Sequence, residues 1–168
     1  MSKLIKSLGV ALLLAACARP AGSPPQQSFR TDGALMYSSA VLETAKLSGH
    51  WVQVATYAAV AAAGCAPGTV DFSDQARQVA WTLCLSGRET NGAGSFVPGK
   101  AGRYSVEGMA DWWVLWADAD YRTLVIGTPS GKFGFVLNRT AGLPPDRLKA
   151  VRDILTFNSY KPADLVVF

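Results

Sequence analysis

From Gly49 onward the chain consists of short apolar or alternating stretches separated by turn-forming residues. The separators include Ser-Asp-Gln, Asn-Gly-Ala-Gly, Asp-Ala-Asp and Pro-Ser-Gly. Many short strands at this spacing, with no helical pattern between them, favour an antiparallel meander that forms a barrel or a sandwich. The predicted strands cover residues 51–57, 68–73, 77–85, 102–107, 112–117, 122–127 and 132–138.

The clearest helical pattern lies near the C-terminus. In the stretch PPDRLKAVRDILTF, residues Leu148, Val151 and Leu155 recur at i, i+3 and i+7, and the basic residues occupy other faces. Proline at the start of this stretch suits a helix N-terminus. The final residues, DLVVF, predict one more short strand, and residues 35–44 predict a short helix before the first strand.

The N-terminus has the pattern of an export signal. Lys3 and Lys6 precede an apolar run that is too short to span a bilayer. The run ends in Leu-Ala-Ala-Cys, which resembles the bacterial lipobox and implies that Cys17 is lipidated and becomes the first residue after cleavage. An ordinary signal peptide with an incidental cysteine is the alternative. Ala18 follows the cysteine where Asp would favour the inner membrane, so an outer-membrane anchor facing the periplasm is expected.

Three segments follow from this pattern. Residues 1–16 are the predicted signal peptide, residues 17–45 the lipidated N-terminus with a flexible tether and a helical lead-in, and residues 46–168 one barrel domain. Cleavage removes two lysines and no acidic residue, which lowers the formal charge from +4 to +2. The basic balance of the full chain therefore gives no support for nucleic-acid binding.

The remaining cysteines, Cys65 and Cys84, are predicted to form a disulfide. Export places them in an oxidising compartment, where such a pair is bonded by default. A hairpin that turns near residues 74–76 would also place the two cysteines opposite each other on neighbouring strands. The chain has one histidine, His50, so it offers few residues for zinc binding or for Cys–His catalysis. No cofactor is implied.

Asp118 and Asp120 stand two residues apart, as carboxylates do at the start of calcium loops. The glycine and the distal glutamate of such a loop are absent here. We therefore interpret this stretch as a turn between two strands and predict no metal site.

Three separated motifs share an order with a known family. Gly49-His50-Trp51 opens the first strand, Asp118, Asp120 and Tyr121 form a tight turn, and Arg139 ends the last long strand before the helix. This order resembles the lipocalin family, and most closely its bacterial outer-membrane lipoproteins, over residues 46–168. The resemblance implies an eight-stranded up-and-down barrel with one C-terminal helix. It also implies that Trp51 plugs the closed end and that Arg139 stacks on its indole by a cation–π contact.

The resemblance and the alternation of strand residues predict the lining of the barrel. With Trp51 and Arg139 facing inward, alternation brings Gln53, Tyr57, Phe133 and Phe135 inward as well. The inward pattern of the family adds one further set, which is Trp112, Val114 and Trp116. These seven residues are the predicted ligand contacts.

Two features depart from the family pattern. Residues 88–102 look loop-like, so one wall of the barrel is expected to be short or open. The loop after the first strand, AAVAAAGCAPG, is small and apolar, which suits either a lid over the barrel mouth or contact with a membrane.

The resemblance implies a membrane-anchored carrier of a small hydrophobic ligand, such as a fatty acid or a lysophospholipid-like molecule. A barrel filled by its own aromatic side chains, acting as an envelope structural or interaction protein, is the alternative. Catalysis has little support, because a disulfide leaves no free cysteine in the domain and no histidine lies in the predicted wall.

Overall fold

The computed structural model describes residues 27–59, 64–73 and 77–168. The predicted signal peptide, Cys17 and nearly all of the predicted tether lie outside the described residues, as does part of the small apolar loop after the first strand. None of the helices within the described ranges is long and apolar enough to cross a membrane.

Within these ranges, eight antiparallel strands run up and down in chain order and close into a barrel, because β1 pairs with both β2 and β8. The predicted fold is confirmed. The strands are β1 (Gly49–Tyr57), β2 (Thr69–Ser73), β3 (Gln78–Leu85), β4 (Arg88–Pro98), β5 (Arg103–Val106), β6 (Trp112–Ala117), β7 (Thr123–Gly127) and β8 (Gly134–Asn138).

The C-terminal helix lies outside the barrel, as predicted. Helix α1 (Pro145–Phe157) begins at a proline and buries Val151 and Leu155 against the outer face of the sheet. A last strand, β9 (Leu165–Val167), pairs with the end of β1. Strand β1 is thus shared, since β2 pairs with its first half and β9 with its last residues.

The helix predicted at residues 35–44 is wrong. A 3-10 turn, Thr44–Leu47, lies directly before β1, and residues 35–43 form no helix. Leu35 and Val41 are among the most exposed apolar side chains, so the apolar positions of this stretch do not share one buried face.

The loop predicted at residues 88–102 is also wrong over most of its length. Strand β4 pairs with β3 from Gln78↔Ser95 to Leu85↔Arg88, through a tight turn at Ser86 and Gly87, which both have positive φ. Its glycines are used for packing: a side chain at Gly92 would stand 2.6 Å from the Trp81 ring. The Asn and Gly residues of this stretch therefore resemble turn signals in the sequence, but they belong to strand β4.

The short part of the barrel wall that was expected at residues 88–102 lies instead at β5. Strand β5 has four residues and meets β6 only through Arg103↔Trp113 and Tyr104↔Trp112. No described strand pairs with the first half of β4 on the β5 side, and residues 88–93 are exposed. The barrel wall is therefore held by few strand pairings between β4 and β6.

Side chains of the sheet divide into two apolar clusters. The inner cluster fills the barrel, and the outer cluster lies between the barrel wall, α1 and the segment before the 3-10 turn. The buried members of the inner cluster are Leu47, Trp51, Val70, Phe72, Val79, Trp81, Leu83, Leu85, Phe96, Tyr104, Val106, Trp112, Val114, Leu124, Ile126, Phe133, Phe135 and Leu137. Those of the outer cluster are Phe29, Val54, Ala55, Tyr57, Leu115, Val125, Val136, Val151, Leu155 and Tyr160.

Two β-bulges reverse the predicted alternation. The β1–β8 register shifts between Gln53 and Ala55, and the β6–β7 register shifts between Val114 and Trp116. An extra residue in one strand moves every later side chain to the opposite face. The predicted inward positions of Tyr57 and Trp116 are therefore wrong, because both side chains pack with the outer cluster.

Tyr57 shows what the reversal produces. Its ring lies 5.6 Å from that of Phe29 and 4.9 Å from that of Tyr160, outside the barrel wall. Burial raises the pKa of the Tyr57 hydroxyl, and this oxygen has no hydrogen-bond partner among the described residues. Burial likewise raises the pKa of Tyr160 to about 12, although the Tyr160 hydroxyl accepts a hydrogen bond from Thr128 N at 2.9 Å.

The segment before the 3-10 turn is held against the barrel by Arg30. Its Nε donates to Asn158 O at 2.8 Å, and its Nη1 donates to Pro129 O at 2.8 Å. Its Nη2 donates to the carbonyls of Ala34 and Leu35. The lead-in therefore packs on the wall from Phe29 onward.

Candidate functional site

The closed end of the barrel is built on Trp51 and Arg139. Trp51 is fully buried, and its Nε1 donates to Leu47 O at 2.7 Å. The guanidinium carbon of Arg139 lies 3.7 Å from the indole centroid. Its Nη1 donates to His50 O at 3.1 Å and its Nη2 to Lys46 O at 2.8 Å. The predicted cation–π pair is confirmed, and burial lowers the pKa of Arg139.

Gly49 is required at this floor for two reasons. Its φ of +95° lies in a region that favours glycine. A Cβ at this position would also stand 3.3 Å from the Nη1 of Arg139. His50 points outward, where its Nδ1 lies 2.8 Å from an Asp71 carboxylate oxygen. The Gly-x-Trp motif is therefore a structural element of the floor.

Asp118 organises the turn between β6 and β7. One carboxylate oxygen accepts from the backbone N–H groups of Arg122 and Thr123, each at 2.6 Å. The other accepts from the Arg122 Nε at 2.8 Å. Tyr121 has a φ of 54° and its hydroxyl accepts from Glu43 N, while Asp120 pairs with Arg122 at the surface.

These contacts make Asp118 a structural residue of the turn. Burial by itself would raise its pKa, but the Arg122 side chain and the two backbone N–H groups outweigh burial and hold the pKa below its ordinary value. In the described ranges no group of three or more His, Cys, Asp or Glu side chains is arranged to hold a metal ion.

Asp118→Asn is expected to lower the free energy of unfolding at neutral pH by about 1–3 kcal/mol, because a buried charge-assisted network loses its charge. Since the folded pKa is depressed, this contribution is complete above the unfolded value of about 3.9 and is lost as the pH falls through the folded value. Urea unfolding between neutral and strongly acidic pH should therefore show the two proteins converging in acid. Asp120→Asn is the control, with an expected change below about 0.5 kcal/mol because its side chain is exposed. A gap that is constant with pH would contradict the assignment.

The opposite end of the barrel is held by Cys84 and Gln53. Cys65 and Cys84 form the predicted disulfide, with Cα atoms 5.6 Å apart. The β2–β3 ladder pairs Val70 with Trp81, which is a different register from the predicted one, so the bond joins β3 to the loop before β2. The Gln53 amide accepts from Gly68 N and Cys84 N and donates to Cys84 O at 2.8 Å.

This network gives Gln53 a structural role. Its side chain is 1 % exposed and bridges β1 to β3 just where β1 stops pairing with β2. Thr56 adds a bond from its hydroxyl to the same Cys84 carbonyl at 2.7 Å. The geometry does not support the predicted role of Gln53 as a ligand contact.

The centre of the interior is an aromatic group around Trp112. The Trp112 ring lies 5.2 Å from Phe135, 6.0 Å from Trp81, 6.3 Å from Phe72 and 6.4 Å from Phe96, all edge to face. Of the predicted contacts, Trp112, Val114, Phe133 and Phe135 face this interior. Their role as ligand contacts stays a prediction.

Sequence reasoning missed the residues that β2 to β5 contribute. Phe72, Trp81, Phe96 and Tyr104 complete the aromatic lining, and Phe96 stacks on Tyr104 at 4.1 Å. The alternating apolar positions of residues 77–85 were a usable signal, but the inward phase was assigned only on strands connected to Trp51, Arg139 or the family pattern.

A cleft of about 220 Å³ opens beside the floor and not at the opposite end. Its apolar side is formed by inner-cluster residues, and its rim carries hydroxyl groups and one guanidinium. The lining residues are Thr44, Leu47, Ser48, Phe72, Ser73, Arg77, Phe96 and Pro98. Because Phe72 and Phe96 also touch Trp112, the cleft is separated from the centre of the barrel by a single layer of rings.

A closed antiparallel barrel with a buried Trp–Arg floor and an outer C-terminal helix defines the class of this protein. The family model for the lipocalin-like domain matches residues 42–168. The chain therefore belongs to the lipocalin family. Proteins of this family and fold are typically binding or carrier proteins and not enzymes.

Solved structures agree on the fold. A siderocalin, Ex-FABP, described as having dual ligand specificities, is 16% identical with a TM-score of 0.57, covering 73% of this chain and 93% of its own. The cockroach allergen Per a 4 is 10% identical with a TM-score of 0.58, covering 79% and 91%. Apocrustacyanin C1 is 16% identical with a TM-score of 0.53, covering 73% and 76%. A search of curated proteins returned no match to this chain.

Proposed function

We propose that the protein is a bacterial envelope lipocalin that binds one small apolar ligand and is held at the outer membrane by lipid on Cys17. The observation that carries the binding proposal is the continuity of the apolar lining. Phe72 and Phe96 belong both to the surface cleft and to the aromatic group around Trp112. A ligand in the cleft would therefore reach the interior by moving aromatic rings, without opening the sheet.

The energetics favour a long apolar ligand. Burying a CH₂ group contributes roughly 0.8 kcal/mol, and association costs several kcal/mol of lost freedom. Micromolar affinity corresponds to about −8 kcal/mol, so a long acyl chain satisfies this requirement and a short one does not. A fatty acyl compound, either free or as part of a lysophospholipid-like molecule, is the proposed ligand class.

Binding is tested by displacement of a fluorescent apolar probe from delipidated protein, using acyl compounds of increasing chain length. Affinity is expected to rise with chain length until the cavity is full. Ser48→Phe should obstruct the cleft and weaken binding by at least about tenfold, a change of 1.4 kcal/mol. Ser130→Phe is the matched control, since both serines are exposed and the side-chain hydroxyl of each takes part in one 3.5 Å hydrogen bond, but Ser130 does not line the cleft.

A second candidate function is supported by the packing of the interior. Trp112 and Phe135 are completely buried in contact with each other, as they would be in a barrel filled by its own side chains. Such a protein would act through its surface as an envelope structural or interaction protein. If no chain length displaces the probe, or if the probe itself does not bind, the carrier proposal fails and the filled barrel stands.

The membrane anchor is proposed from the sequence alone. The support is the basic start, the short apolar run and the Leu-Ala-Ala-Cys site. Cys17→Ser is expected to move the protein from the membrane fraction to the soluble periplasmic fraction, or to leave it unprocessed. A variant that is processed and still sediments with membranes in high salt would contradict lipid anchoring.

A further inference from the structure

Among the residues that the structure describes, one buried side-chain polar atom inside the barrel has no hydrogen-bond partner. This atom is the Nε1 of Trp112. The indole of Trp51, in the same barrel, donates its N–H to Leu47 O at 2.7 Å. An indole N–H can only donate, and buried donors without a partner are rare because they lose their bond to water without replacement.

The position of this donor relates it to the proposed ligand path. Trp112 touches Phe72 and Phe96, and both of these rings line the surface cleft. The Trp112 ring therefore lies next to two side chains that line the cleft. A ligand that displaced one of these rings would bring its own atoms to the indole.

The surroundings of the donor decide which acceptor fits. Arg30 and Asp118 are the buried charged residues of the described ranges; Arg30 lies outside the barrel wall, and Asp118 lies in the turn between β6 and β7. Arg139 is engaged at the floor by the Trp51 ring and by backbone carbonyls, and Arg77 stands exposed at the rim of the cleft. A carboxylate brought to Trp112 would lose its hydration for one N–H and no cation, which is strongly unfavourable. A neutral carbonyl oxygen needs only the single donor that is present.

We propose that Trp112 is the polar anchor of the ligand site and that the barrel selects apolar molecules carrying a neutral ester, amide or ketone oxygen. This inference rests on the proposed carrier function. A free fatty acid would then enter with its tail first and leave the carboxylate outside, and it would gain nothing from the Trp112 N–H.

The test compares two ligands that differ in one oxygen atom, a long-chain methyl ketone and the alkane of the same length. Trp112→Phe keeps an aromatic ring but removes the donor. It is expected to weaken ketone binding about tenfold, which is the size of one buried hydrogen bond, and to change alkane binding by less than about twofold. Trp81→Phe is the matched control, because it removes an indole from the same cluster and should affect both ligands equally.

A measurement on the wild-type protein makes the result independent of the stability of the variants. The indole Nε1–H resonance of Trp112 in a ¹⁵N-labelled sample should move downfield on saturation with the ketone and stay unchanged with the alkane. If both ligands bind and Trp112→Phe weakens them equally, or if the resonance does not respond to the ketone, the anchor is wrong while the carrier function stands. If neither ligand binds, both proposals fail.

Discussion

Trp51→Ala is expected to lower the free energy of unfolding by about 3–5 kcal/mol, as removal of a large buried aromatic side chain does. Trp51 is completely buried, and its loss removes the floor of the inner cluster together with the hydrogen bond to Leu47 O. Arg139→Ala is expected to cost about 2 kcal/mol through the lost cation–π contact and the lost bonds to carbonyl groups. Urea unfolding followed by circular dichroism measures both.

The two substitutions should also be non-additive, because the side chains share one contact at 3.7 Å. A double-mutant cycle is expected to give a coupling energy of about 0.5–3 kcal/mol. Arg152, exposed on α1, is the control partner for Trp51 and should give a coupling near zero. Equal coupling for Arg139 and Arg152 would mean that the floor does not depend on the Trp–Arg contact.

Removal of the disulfide by the double substitution Cys65→Ser and Cys84→Ser is expected to destabilise the protein by about 3 kcal/mol. The bond closes a loop between residues separated by 19 positions, and it restricts the unfolded chain accordingly. It also holds the end of the barrel where the Gln53 amide bridges β1 to β3. Urea unfolding with and without a reducing agent measures this contribution.

The reducing agent supplies the internal control for the disulfide prediction. It should lower the stability of the wild type to that of the serine variant and leave the variant unchanged. A wild type that unfolds at the same urea concentration with and without reductant would show that the bond contributes nothing to stability.

Much of the fold follows from local pattern. The alternating stretches predicted the strands other than β4, and the i, i+3, i+7 pattern predicted α1. The resemblance of the Gly49, Trp51 and Arg139 motifs to the lipocalin family implied the floor. The disulfide was predicted from two cysteines and an oxidising compartment, although the predicted register was not the observed one. These features could be inferred because each depends on few residues or on a pairing with few alternatives.

The lining of the site could be inferred only in part. Phe135 faces inward as alternation from Arg139 requires, because the β7–β8 register is regular along β8. Val114 faces inward as the resemblance to the family implied. Strand β4 was missed, because its Asn and Gly residues are typical of turns and only the packing of Trp81 over Gly92 gives them a place in the wall.

The sequence by itself determined which stretches other than β4 become strands, but only the tertiary structure decided where a strand changes the face that it turns to the interior. No glycine or proline marks the bulges near Val54 and Leu115. Alternation from Trp51 places Tyr57 inside, and the inward pattern of the family continued by alternation places Trp116 inside. Their outward positions come from pairing with β8 and β7 and from burial beneath α1 and the segment around Phe29. A bulge bends and twists a strand to suit its neighbours as the barrel closes, so its position depends on residues far away in the sequence.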